Sequence, residues 1–372
     1  MLHIALRNLF QNKVRLLIAV GGVALALMLI LALDAVVGGM EAKLTAYIDY
    51  SGADIFVAQS GVRNMHMAVS ALPLSVRSQV RAVPGVATVT PVLYLTNVVV
   101  SGGNRHLAYV IGLPPKAVAG GPWRIVAGKA LPGTREAIID RGVAEQSGIG
   151  LGDTVKILGE EFTVAGLSEG TANLTNSVAF ITRADFARLR GDAAAASYIL
   201  VTVTPGQSPD IVARKIEALV HDVTAQTRQE FAAQERKVIS DMSTDVIAIM
   251  NLVGIVIGMA VMALTVYTGT LARRAEYGVL KALGARTSQL CAVVLAQAII
   301  SVGIGFLLGL GFTLALAAIV PYTGLNLFLQ VRSVALLKVG AAAITITAVS
   351  AILPIAQIAG LDPAMVFRGK MK

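Results

Sequence analysis

The sequence contains one cysteine, Cys291, in 372 residues, so no internal disulfide can form and any exported part must hold itself together by packing. Charge is also scarce. Asp, Glu, Lys and Arg make up 14% of residues against 55% apolar, and the mean hydropathy is +0.73. A chain this apolar is not an ordinary soluble protein, and at least part of it belongs in a bilayer. The usual phosphate cradle is missing: there is no G-x-x-x-x-G-K-[ST] loop, and the nearest string, Gly121 to Lys129, has six residues between its glycines and no hydroxyl residue after the lysine. H-E-x-x-H and cysteine clusters are absent as well. The four histidines, His3, His66, His106 and His221, are scattered and read as surface or packing residues, as does the single Trp123. No catalytic, metal-binding or cofactor-binding residue is assigned.

Long charge-free runs are abundant. They cover 18 residues between Arg15 and Asp34, 27 between Asp245 and Arg273, 45 between Arg286 and Arg332, and 23 between Lys338 and Asp362. A bilayer core needs roughly 20 residues of helix. The 45-residue run is too long for one span and is broken at Pro321 and the Tyr-Thr-Gly after it. The expectation is four transmembrane α-helices, arranged one plus three, with a large extracytoplasmic α+β domain inserted between the first and second. In order, the predicted parts are an interfacial helix at 1–15, the first span at 16–37, the outer domain at 38–227, a helical stalk at 228–245 and the second span at 246–272. A cytoplasmic insert at 273–289, the third span at 290–320, an outer loop at 321–335, the fourth span at 336–359 and a tail at 360–372 complete the chain. A cleaved signal peptide is the rival reading of residues 1–37, but the apolar run is longer than such signals carry.

The net charge of +9 is a topology signal rather than a nucleic-acid patch. From Asp34 to Asp245 there are 19 Lys and Arg against 20 Asp and Glu. The N-terminal segment, the 273–286 insert and the tail hold ten positive residues against Glu276 and Asp362. The positive-inside rule puts these three segments and both termini in the cytoplasm. Asp34 and Lys338, near span ends, are explained by snorkelling or an aqueous rim. Gly254-x-x-x-Gly258 and Gly305-x-x-x-Gly309 are spacings that allow close helix approach.

In the outer domain, ADIFVAQS, ATVTPVLYLTNVVV, RHLAYVIGL, REAIID, DTVKIL, EFTVAGL, SVAFI and YILVTVT read as strands. SVRSQVRAVPGV, RGVAEQSGI, TRADFARLR with Thr182 as N-cap, and SPDIVARKIEALV read as short helices. This suggests a small mixed sheet with helices on one face. Arg228 to Asp245 contains no Pro or Gly and leads straight into the second span, as a continuous helix would.

The insert RRAEYGVLKALGARTSQL, residues 273–290, separates two of the longest uncharged runs. Val279, Leu280 and Leu283 fall on one side of a helix and Glu276, Lys281 and Arg286 elsewhere, with Gly284 as the stop. This is either a short amphipathic helix on the inner membrane surface or a tight turn with snorkelling cations. As a helix, its exposed carboxylate, tyrosine and lysine would form a docking ridge for a soluble partner.

Several stretches carry a family resemblance: RRAEYGVLKALGA (273–285), DPAMVFR (362–368), ALRNLFQNKVR (5–15), AVPGV (82–86) and GIGLGDTVKILGEEFTVAG (148–166). With the one-plus-three spans, the chain resembles the permease subunits of ABC transporters of the MacB/FtsX/LolC type, the mechanotransmission family. The resemblance implies a dimer of permease subunits in a bacterial cytoplasmic membrane, and a separate cytoplasmic ATPase that binds ATP and Mg and grips the insert as a coupling helix. It also implies an outer domain that moves without a conventional passage through the bilayer. By motif match it assigns partner contact to Glu276, Tyr277, Gly278, Lys281, Gly284 and Ala285. Tyr277 departs from the aliphatic residue common in the family. The implied activity is export or hand-over of an amphiphilic or hydrophobic molecule, with a periplasmic adaptor as a further partner. A signalling subunit that acts on a cell-wall partner is the alternative, and a membrane-anchored enzyme is disfavoured by the missing motifs.

Overall fold

The computed structural model describes residues 11–171, 176–320 and 328–360. Among them the helices run, in chain order, α1 Lys13–Leu44, α2 Ala46–Tyr50, α3 Val76–Arg81, α4 Arg141–Ser147, α5 Arg183–Arg190, α6 Pro209–Leu219, α7 Arg228–Ala272, α8 Arg274–Ala282, α9 Thr287–Ile319 and α10 Ser333–Ala359. The chain divides into two compact units, one made of the segments up to Gly39 and from Ser243, the other Met40–Met242. The boundaries fall inside α1 and inside α7.

Four helical stretches of the first unit are long and apolar enough to cross a membrane: Lys13–Leu44, Asp245–Ala272, Thr287–Ile319 and Ser333–Ala359. They follow the charge-free runs in order, although helix begins before the hydropathy edge at Lys13, Thr287 and Ser333, because flanking polar residues extend each helix. Residues 1–10 of the interfacial helix expected at 1–15, 321–327 of the outer loop at 321–335 and 361–372 of the tail at 360–372 lie outside the described residues.

Lipid tails are as apolar as leucine side chains, so these helices associate through close packing rather than through water exclusion. Both glycine pairs sit at such contacts. A methyl group added to Gly305 would come 2.8 Å from Val23 Cγ1, and one added to Gly309 would come 2.8 Å from the Ala24 carbonyl oxygen, so α9 lies directly on the α1 backbone. On α7, Gly254 meets Ile30 and Gly258 meets both Ile346 and Ala26. Leu27, Leu31, Met262, Val294, Val339 and Ile346 belong to the core around these contacts.

Asp34 and Lys338 are not independent snorkelling residues, as span-end charges suggest. Asp34 is buried, and its carboxylate accepts from Lys338 Nζ at 3.0 Å and from Arg332 Nη2 at 3.4 Å. A lone carboxylate at this depth would be costly, and two cations compensate it.

The second unit is built on one sheet rather than a small one. Its strands are β1 Ile55–Gln59, β2 Leu72–Pro73, β3 Val86–Ser101, β4 Asn104–Leu113, β5 Ile125–Gly128, β6 Glu136–Asp140, β7 Thr154–Ile157, β8 Glu160–Ser168, β9 Asn176–Thr182, β10 Ala195–Ala196, β11 Tyr198–Val203 and β12 Val223–Thr227. Ten of them join in the order β12-β1-β11-β3-β4-β9-β6-β8-β5, with β7 beside β3 and β8; β2 and β10 pair separately. The ladder is mixed, with β4 parallel to β9 and β6 parallel to β8.

At β1 and β11 the sheet is covered on both faces, which corrects the one-face expectation. Side chains alternate along a strand, so Ile55 and Val57 of β1 and Ile199 and Val201 of β11 meet Val212 and Ile216 of α6. Phe56, Tyr198 and Leu200 point the other way, toward Tyr47 and Ile48 of α2 and Phe231 and Ala232 at the root of α7. Burying such a large side chain is worth roughly 1.5–3 kcal/mol. Those near-continuous apolar strands have no solvated face, whereas β7 and β8 alternate buried and exposed residues. In α5, the Thr182 hydroxyl accepts from the Asp185 amide at 3.0 Å and caps the helix, as its sequence indicates.

Candidate functional site

The helix α8 stands between α7 and α9 as a nine-residue element. It stops where the sequence places its glycine. Gly284 has φ +95°, a conformation that disfavours side chains, and its N–H donates to the Lys281 carbonyl at 3.1 Å. The Ala285 N–H reaches back to the Leu280 carbonyl at 3.0 Å, completing a left-handed cap that satisfies the last carbonyls. Immediately afterwards the Gln289 side chain accepts from the Arg286 amide at 3.0 Å and opens α9. The end of α8 and the start of α9 are therefore fixed within a few residues of each other.

Residues at i, i+3, i+4 and i+7 share one helical face. Here they are Glu276, Val279, Leu280 and Leu283, all exposed, with Leu283 at 79%. The exposed surface of α8 thus carries Glu276 at one end of a row of three aliphatic side chains, not apart from them as the sequence suggests, with Arg274, Ala275 and Ala282 also exposed. The opposite face is inward. Tyr277 is 3% exposed and joins the core of Leu290, Val294 and Ile358, and Gly278 is buried beside it.

This corrects the expected ridge of carboxylate, tyrosine and lysine. Tyr277 cannot belong to it, because the helix turns its ring into the apolar core, where it bonds Gln297 and burial raises its phenol pKa. The Lys281 ammonium is half-buried and donates to the Ala359 carbonyl at the end of α10, at 3.4 Å. Ala285 is half-buried against the core and Gly284 is exposed. Of the six residues named from sequence, Glu276 and Gly284 face outward.

A second constellation escaped sequence reading. Glu235, on the third turn of α7, has a fully buried side chain within the outer unit. Its Oε2 accepts the Met65 N–H at 2.7 Å, and its Oε1 meets Nδ1 of His66. The other imidazole nitrogen, Nε2, meets the Tyr109 hydroxyl on β4. An aromatic wall encloses the group: Tyr94 lies 5.7 Å from Tyr109 and 6.1 Å from Tyr198, and Tyr198 lies 5.8 Å from Phe231. Burial, with Glu235 adding to it, pushes the Tyr94 and Tyr198 phenols above their usual pKa, so both remain neutral. The Tyr198 hydroxyl donates to the Asn64 carbonyl at 3.2 Å, so the β1–β2 loop is held by backbone and side chain alike. His66 is therefore not solitary. The partners are 169 residues apart in the chain, and no local motif joins them.

Among the described residues no group of three or more His, Cys, Asp or Glu could hold a metal.

Comparison with known proteins covers most of the chain. The family model of the MacB-like periplasmic core domain matches residues 16–219, and that of the FtsX-like permease C-terminal region matches residues 248–363. Uncharacterized ABC transporter permeases of Mycobacterium bovis and Mycobacterium tuberculosis are each 23% identical over 371 residues, covering 99% of this chain and 100% of theirs. One from Methanocaldococcus jannaschii is 21% identical over 345 residues, with 85% and 83% covered. Among solved structures, the periplasmic region of MacB from Actinobacillus actinomycetemcomitans aligns with TM-score 0.40 and 13% identity over 50% of this chain and 93% of that one. The extracellular domain of the transporter YknZ from Gram-positive bacteria aligns with TM-score 0.37 and 13% identity over 47% and 98%.

Proposed function

Because the chain belongs to the MacB/FtsX-type permeases of ABC transporters, we propose that it is the membrane subunit of an ATP-driven exporter and that the outer ridge of α8 docks the ATPase. ABC permeases work with a separate ATP-hydrolysing subunit, and in this reading ATP and Mg belong wholly to that partner. The observation that carries the proposal is the exposed face of α8, where Glu276 shares one row with Val279, Leu280 and Leu283 on a helix capped at its C-terminal end. Interfaces concentrate their energy in a few such central residues surrounded by water-excluding contacts.

In this reading α8 and both termini face the cytoplasm, which the positive-inside rule supports through their basic flanks. Partner closure presses α8, and α7, one helix from Arg228 to Ala272, transmits the displacement. Its root is pinned by Glu235 to the β1–β2 loop and β4, so that part of the outer unit follows. The cargo is an amphiphilic or hydrophobic molecule, expelled outside or handed to a periplasmic adaptor. A second copy of the chain completes the membrane part. In support, the span on α7 is the least covered of the four, leaving Val246, Ile249, Leu252 and Val256 open.

The test is co-purification of the ATPase from native membranes with the Glu276→Lys, Leu283→Asp double variant. Loss of at least about tenfold of the bound ATPase is expected, since two central contacts are removed. Full retention with normal membrane insertion would remove α8 as the docking surface.

A further inference from the structure

A groove runs between α9 and α10 in the membrane unit and encloses about 460 Å³, within the roughly 300–1,000 Å³ of small-ligand pockets. Its wall on α9 runs from Leu295 to Phe306, eleven residues or about 16 Å along the axis. That wall begins about 12 Å from the start of α9 at Thr287 and stops about 20 Å short of Ile319. On α10 the lining, Gly340 to Ala348, keeps about 10 Å or more from Ser333 and Ala359. The groove therefore lies in the middle of both spans, at the depth of lipid tails rather than headgroups.

Small residues keep it open. A methyl group added to Gly303 or Gly340 meets no atom within 4 Å. Leu295, Ile299 and Ile344, also in the lining, are exposed, so the groove opens sideways to whatever surrounds the helices. Thr347 is the one polar side chain among the lining residues, and its hydroxyl already donates to the Ala343 carbonyl at 2.8 Å. A buried water needs about two to four polar partners, which this lining does not offer. An empty groove would forfeit the dispersion contacts of its walls. A partner helix is too thick, because three turns of a helix about 10 Å across occupy on the order of 1,300 Å³. A single hydrocarbon chain meets all these limits.

We propose that the groove holds one acyl tail of a bilayer phospholipid, recognised by shape and apolar contact and not by its headgroup. A tail lying here touches α9 on one side and α10 on the other, whereas a tail on a convex helix face meets protein on one side. Each close carbon pair contributes little, but the contacts add along the length of the groove. The assignment requires only that α9 and α10 span a bilayer, so it stands or falls apart from the docking role of α8 and from the cargo.

The experiment is native mass spectrometry of the full chain, purified in mild detergent and supplied with phosphatidylglycerol or phosphatidylcholine carrying the same tails. One phospholipid per chain should be retained, to the same extent with either headgroup. Gly303→Leu with Gly340→Leu fills the groove with side chains that the open space admits. It should lower retention by about tenfold, the equivalent of two methylene groups losing their burial. Gly311→Leu, equally free of neighbours within 4 Å but outside the lining, should leave retention unchanged. Unchanged retention in the double variant, an equal loss in Gly311→Leu, or a tenfold preference for one headgroup would overturn the assignment. So would a crosslink between two chains from a photoreactive residue at position 303 in native membranes, which would put a second copy in the groove. Should the double variant fail to purify, Gly303→Leu alone carries the comparison, with about a fourfold loss expected for one methylene group.

Discussion

Replacing Glu235 with alanine tests the link between the root of α7 and the rest of the outer unit. The carboxylate has no exposed surface and is the acceptor for the Met65 amide at 2.7 Å and for His66 Nδ1. Its removal leaves two donors without an acceptor inside a wall of Tyr94, Tyr109, Tyr198 and Phe231. Each unsatisfied buried group costs about 1–3 kcal/mol, and loss of one partner of a buried pair costs about 3–5 kcal/mol. His66 keeps 18% of its side chain exposed, so water recovers part of the loss and about 3 kcal/mol is the working figure. At 1.4 kcal/mol per factor of ten, the β1–β2 loop should open on the order of a hundred times more often. Hydrogen exchange of the full-length protein in nanodiscs measures this directly, in the peptide covering residues 60–71. Glu235→Gln retains an acceptor for Met65 and should show a clearly smaller increase. Unchanged protection of that peptide in Glu235→Ala would refute the assignment of Glu235 as the fastening point, since the loop would then be held by other contacts.

Three further outcomes are expected. Gly309→Ala should lower the thermal midpoint, by about 1–3 kcal/mol of overpacking, because its methyl would stand 2.8 Å from the Ala24 carbonyl; Gly311→Ala, with nothing within 4 Å, is the control and should not. Asp34→Ala should reduce the yield of folded protein in detergent, since it removes the carboxylate that Lys338 and Arg332 share near the end of a span, whereas Asp34→Ala with Lys338→Ala should recover part of the loss. Asp185 is buried, which alone would raise its pKa, but the Thr182 hydroxyl, the Arg135 amide and Arg188 outweigh burial and lower it. A carboxylate with a lowered folded pKa contributes stability above the unfolded value of about 3.9 and loses it as pH falls through the folded value. Acid unfolding of the outer unit below about pH 4 should therefore be shallower in Asp185→Asn, read by circular dichroism.

Features set by local chemistry were legible in the sequence. Charge-free runs marked the four spans, Thr182 marked the start of α5, and Gly284 marked the stop of α8, because each depends on residues within a few positions. The glycine pairs were visible as spacings, but only the structure shows Ala24, Val23 and Ile30 opposite them. Pairings across long separations were not legible. Asp34 meets Lys338 across 304 residues and His66 meets Glu235 across 169, and nothing local to either residue records the other. The helices on both sheet faces escaped notice for a related reason. Strands such as IFVA and YILV are apolar at every position, so alternation cannot say that one face meets α6 and the other meets α2 and α7. At α8 the expected ridge includes Tyr277, which the structure buries. Tyr277 lies 100° around the helix from Glu276, which turns it from the exposed ridge into the core.

The central claim is that a soluble ATPase grips the outer ridge of α8 from the cytoplasm. Photo-crosslinking in native membranes, with the reactive residue placed at position 283 and in a second variant at position 277, measures it most directly. The account predicts an adduct with an ATP-hydrolysing subunit from 283 and none from the buried 277. No adduct from 283, or capture of that site by a membrane-impermeant reagent applied outside intact cells, would contradict it.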